Sequence, residues 1–204
     1  FTHLFRLTSP VWKTSVMSAN DTTLQLLWPK SGDFEVVAEL IRDGLVESRH
    51  WGMAALVGPD GKVIDELGKS KRLIFPRSAI KPLQAVAARR VGLKLSGPQL
   101  AISAGSHQGT EAHAKLVTEI LVGAGLTPED LQCPVAWPVT PESVLEAGEQ
   151  KRVYFNCSGK HAGFLAASKV AGFSTNDYLS PEHPLQQLIV EVLEEYSGEK
   201  VLFT

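Results

Sequence analysis

Ser78 and Lys81 stand three residues apart in FPRSAIKPLQ (Phe75 to Gln84), after a Pro-Arg turn and before an apolar run. A serine hydroxyl is a weak nucleophile that needs a neighbouring base, and a lysine one helical turn further on shares its face. At a helix N-terminus the free backbone N–H groups and the positive end of the dipole can also hold a developing oxyanion. To accept a proton the Lys81 amine must be partly neutral, a state that burial or a nearby cation such as Arg77 promotes. The plain alternative is an N-cap serine followed by a solvated lysine. Spacing alone does not decide, because Ser197-Gly-Glu-Lys200 repeats S-x-x-K after a helix, with no helix onset.

Two further groups carry reactive side chains. Ser103, Ser106, His107 and His113 cluster in AISAGSHQGTEAH, offering a second hydroxyl and two imidazoles, although such residues also satisfy turn backbone. Cys157, Lys160 and His161 sit in one turn, where thiolate and imidazole suit zinc, yet two ligands do not close a four-coordinate site. GKS at Gly68 to Ser70 lacks the earlier glycine of a phosphate loop, whose place is taken by Val63, and is set aside.

These residues need elements to hold them. Phe34–Leu40 reads as a strand, and Gly52–Val57, GPDG and Lys62–Leu67 as a hairpin. From Ser78 the period becomes helical, with Ile80, Leu83, Val86, Ala87 and Val91 before Gly92. Thr110–Gly123 predicts a second helix, and Thr127-Pro128 and Thr140-Pro141 predict two short ones. Val153–Phe155 reads as a brief buried strand before a helix that runs from the Cys157 turn to Gly172. The last helix is expected to open at Ser180-Pro181-Glu182 and to carry Leu185, Leu188, Ile189, Val192 and Leu193 inward. Sheet first and helices afterwards is the α+β pattern.

Composition narrows the partners. The 204 residues are 44% hydrophobic with net charge -2, and no basic stripe or acidic block points to nucleic acid or a membrane surface. A small molecule is the expected partner. Two cysteines, Cys133 and Cys157, favour reduced thiols in a cytoplasmic setting, and no run of about 18 apolar residues offers a membrane span.

VESRHWG (46–52), FPRSAIKPLQ (75–84), SHQGTEAH (106–113), LQCP (131–134), NCSGKHAG (156–163) and HPLQ (183–186) resemble, in the same order, the motifs of the asparaginase II family. That resemblance implies a fold similar to serine β-lactamases and penicillin-binding proteins, and hydrolysis of L-asparagine to L-aspartate and ammonia. It implies that Ser78 is the first catalytic serine with Lys81 as proton acceptor, and Ser106 the serine of a second Ser-Lys pair; which serine is acylated stays open. It also implies Cys157 and Lys160 as two ligands of a zinc ion, Arg77, His107 and His161 beside the substrate, and a homodimer when full length. Residues 1–33 are then a divergent N-terminal extension, and 34–204 the first portion of a single asparaginase-like domain. The resemblance places a second lysine and a third metal ligand downstream, so the chain is expected to be truncated and, alone, inactive. Where the family reads S-H-S-[GS]-E, Gln108 and Thr110 depart from the pattern and Glu111 falls one place late, which bears on substrate affinity. The alternatives are another serine hydrolase of the β-lactamase-like fold and a binding remnant without catalysis.

Overall fold

A computed structural model describes residues 32–201. The chain divides into two compact units, with the boundary between Phe75 and Pro76. The expected extension lies outside the described residues, apart from Gly32 and Asp33.

The first unit holds two antiparallel hairpins. β1 (Glu35–Arg42) pairs with β2 (Leu45–Gly52), and β3 (Ala54–Val57) pairs with β4 (Val63–Leu67). The expected strand at Phe34 is therefore the first arm of a hairpin, turned at Asp43-Gly44, where both residues have positive φ (48° and 80°). A two-residue Asp-Gly turn suits the right-handed twist of paired strands. Two two-stranded sheets form, rather than the one sheet expected, and each leaves apolar side chains exposed, Leu45 at 74% and Ile64 at 67% among them. Asp33 anchors this unit. Its carboxylate is buried, pairs with Lys69 at 3.0 Å and with Arg72, and its carbonyl accepts from the Lys69 N–H at 3.0 Å.

The second unit is helical: α1 (Lys81–Arg90), α2 (Gly97–Ser103), α3 (Glu111–Gly123), α4 (Pro141–Ala147), α5 (Ser158–Ala171) and α6 (Pro184–Ser197). α5 lies at its centre, buried from Ser158 to Ser168, as expected of a helix whose residues beyond the first turn are mostly apolar or small, while Lys160 and His161 are buried polar groups in that first turn. Its small residues set how close the neighbours come. A Cβ at Gly159 would lie 2.4 Å from the Ile102 carbonyl oxygen, and one at Gly163 would lie 3.1 Å from the Ser103 Cβ, so α2 rests directly on the α5 backbone. Phe164 and Leu165 of α5, Val117 and Leu121 of α3, Ala87 of α1, and Leu185 and Ile189 of α6 fill one core. Outside it, Arg90 of α1 makes a bidentate pair with Glu195 of α6 at 2.6 and 2.7 Å.

Three expectations need correction. Val153–Phe155 is not a strand: Arg152–Tyr154 forms a 3-10 turn, because the chain must reverse between the Lys151 bridge to Ala136 and the α5 N-terminus. The last helix starts at Pro184 rather than Ser180, since His183 is its cap, taking the Leu185 N–H at 3.2 Å on Nδ1 while Nε2 donates to the Ser174 carbonyl at 2.9 Å. The helix expected from Ser78 opens as a 3-10 turn, Arg77–Ile80, and becomes α-helical only at Lys81. α2, over Gly97–Ser103, carries no apolar period long enough to be read from sequence.

The close packing at Gly159 gives a test. Gly159→Ala should cost several kcal/mol in denaturant unfolding or prevent folding, because backbone cannot yield at 2.4 Å. Gly123→Ala, with nothing within 4 Å of the new methyl, should be neutral or stabilise by up to about 1 kcal/mol. Equal effects at both positions would contradict this packing.

Candidate active site

Three segments of the helical unit meet at one amine. Lys81 opens α1 and is only 3% exposed; its Nζ donates to Ser106 Oγ at 2.6 Å, to the Gly105 carbonyl at 3.1 Å and to Cys157 Sγ at 3.1 Å. Gly105 and Ser106 belong to the turn after α2, and Cys157 caps α5. An ammonium group has three N–H donors, and these three acceptors occupy them all. Ser78 is not among them. It lies exposed in the 3-10 turn directly after Arg77, whose φ of 48° is uncommon for a non-glycine residue. The spacing that made Ser78 the expected partner of Lys81 is thus outweighed by a contact 25 residues away along the chain.

The loop that carries Ser106 is held from its far side. His107 is buried; its N–H donates to the Asn156 carbonyl at 3.1 Å, and its Nδ1 accepts from the Gly109 N–H at 3.1 Å. Its Nε2 lies 3.1 Å from Ser158 Oγ and 3.4 Å from the Gly159 nitrogen, and the Ser158 hydroxyl donates onward to the Val153 carbonyl at 2.8 Å. Residues 106–107 are in this way fastened to residues 156–158, and the neighbours Ser106 and Cys157 converge on Lys81. Gly109 closes the same loop at φ 70°, where a Cβ would lie 2.3 Å from the Tyr154 carbonyl oxygen. His113 stacks on His107 with ring centroids 5.1 Å apart, and its Nδ1 meets Thr110 Oγ1 at 2.7 Å, capping α3.

Lys160 and His161 follow Cys157 into α5. Lys160 is 6% exposed, makes no hydrogen bond among the described residues, and burial, with Lys81 nearby, pushes its amine down to about 8. A lysine held this way can offer a lone pair. With the Cys157 thiol it supplies two donors suited to a borderline-soft cation such as zinc, and two of four positions are as many as this pair can fill. Among the described residues no group of three or more His, Cys, Asp or Glu stands ready for a metal ion. His161 turns into the core, its Nδ1 2.9 Å from the Tyr178 hydroxyl and its ring edge against Phe155, and burial lowers its proton affinity well below the ordinary value. Sequence reading did not single out Ser158 or Asn156, whose roles depend on partners about fifty residues away.

Burial, followed by the charges of His113 and Lys81, pushes His107 down to about 4 from an ordinary 6.5. Between those values the unfolded chain carries the proton and the folded chain does not, so stability falls as pH drops from about 6.5 toward 4, by at most about 1.4 kcal/mol per pH unit. His107→Gln should flatten that slope in urea titrations run at each pH. An unchanged slope would mean that His107 is not held neutral.

No curated protein sequence matches the chain. The sequence profile of L-asparaginase II does, over residues 38–202, a span that takes in β2, the Ser78–Lys81 turn, the Ser106 loop and the Cys157 cap. The chain, over most of its length, belongs to the L-asparaginase II family.

Proposed function

We propose that this protein is an amidohydrolase that hydrolyses the side-chain amide of L-asparagine to L-aspartate and ammonia. The family points to asparagine-hydrolysing chemistry. The observation that carries the residue assignment is the 2.6 Å contact between a buried lysine amine and the hydroxyl of an exposed serine. A protonated Lys81 donates to Ser106; in the neutral form of the amine the hydrogen bond reverses, and the Ser106 hydroxyl donates to Nζ.

Ser106 Oγ then attacks the amide carbon of the substrate while its proton passes to Lys81 Nζ. Lys81 returns that proton to the departing amide nitrogen, ammonia leaves, and water hydrolyses the ester to restore the serine. Gly105, through its carbonyl, holds the amine in place during both transfers. Cys157 and Lys160 would hold two positions of a zinc ion, which when bound would polarise the substrate carbonyl. Ser78, beside the strained Arg77, is the serine that the family pattern marks first, and in this assignment it is the second hydroxyl of the site; the S-x-x-K turn ahead of a helix supports a serine-β-lactamase-like arrangement of the whole protein.

Ammonia release by the full-length protein tests the assignment. Ser106→Ala and Lys81→Met should each lower kcat/KM by about 10³-fold or more, and the double variant should lose little beyond either single one, since the two act as a unit. Full activity in Ser106→Ala, with loss in Ser78→Ala, would transfer the nucleophile to Ser78. Turnover of a chromogenic β-lactam in place of asparagine would replace the amidohydrolase with another hydrolase of that class.

A further inference from the structure

Gln84 stands one turn after Lys81 on α1, on the side that packs toward α5. It is 1% exposed, and neither its amide nitrogen nor its amide oxygen has a hydrogen-bond partner among the described residues. Leaving a buried amide unsatisfied is costly, and buried side-chain polar atoms are normally partnered by protein or by ordered water. The amide lines a small cavity together with Lys160, Ser103, Arg89, Gly163 and Phe164, while Lys81, Ser106 and Cys157 do not line it. About 10 Å³ of that space is open to the centre of a water-sized molecule, room for about one.

The wall chemistry selects the occupant. An amide presents both donors and an acceptor. Lys160 contributes an amine that sits over the Phe164 ring and has no hydrogen-bond partner among the described residues, and Ser103 has already given its proton to the Leu100 carbonyl at 2.8 Å, so its oxygen is left as an acceptor. A molecule seated here must donate and accept at once. The Arg89 guanidinium in the same wall disfavours a cation, and the volume disfavours anything of several heavy atoms. We propose that this cavity is the binding site of a single buried water, which bonds the Gln84 amide to the Lys160 amine and so ties α1, the Lys81 helix, to α5, the Cys157 helix. Of the residues assigned to hydrolysis only Lys160 lines it, and the water site does not depend on that activity.

Two measurements decide this. A crystal structure of the purified protein, at a resolution that shows ordered water, should place one water within hydrogen-bonding distance of both Gln84 and Lys160; no density there, or a halide revealed by anomalous scattering after a bromide soak, would overturn the site. Oxygen-17 relaxation dispersion should count one fewer long-lived internal water in Gln84→Met than in the parent, and an unchanged count would equally overturn it. Should Gln84→Met fail to fold, the parent crystal structure decides alone.

Discussion

The Lys81 amine is nearly sealed from solvent, and a charge in that position survives only where acceptors replace the water it has lost. Its three acceptors come from two other parts of the helical unit: a carbonyl and a hydroxyl from the loop after α2, and a sulfur from the cap of α5. The site can therefore form only when α1, α2 and α5 are packed together. Its geometry and the stability of the core are one problem.

That constraint explains the small residues of α5. Gly159 and Gly163 let α2 come down onto the helix backbone, which brings the following turn, and with it Ser106, up to Lys81. A bulkier face on α5 would keep the core apolar but hold the Ser106 loop away. The His107–Ser158–Val153 contacts then fix the loop in rotation, using a neutral imidazole that takes the Gly109 N–H on Nδ1. Buried networks of this kind specify one arrangement because each member satisfies the next.

Much of the local structure is legible in the residues. The Asp-Gly and Gly-Pro-Asp-Gly turns mark the hairpins, Thr110 with its apolar period marks α3, and Gly172 and Gly198 stop α5 and α6 at φ 70° and 69°. The misreadings come from hydrogen bonds that composition does not show. Val153–Phe155 has the composition of a strand and Ser180-Pro181-Glu182 that of a helix start, yet a turn prevails in the first, where Ala136 and Cys133 hold the backbone at residues 151 and 152, and in the second local bonds to Asp177 and His183 delay the helix until the histidine caps it.

The reactive residue types, their order and the family they mark are properties of the sequence, since composition, short-range periodicity and motif order need no partner from elsewhere in the chain. Which serine the lysine meets is not such a property. Ser78 is near Lys81 along the chain, but Ser106 is near it in space, and folding favours the acceptor that a buried amine can reach without water. The same holds for His107, which any reading of S-H-Q-G leaves as one more turn histidine until α5 supplies Ser158 on its other side.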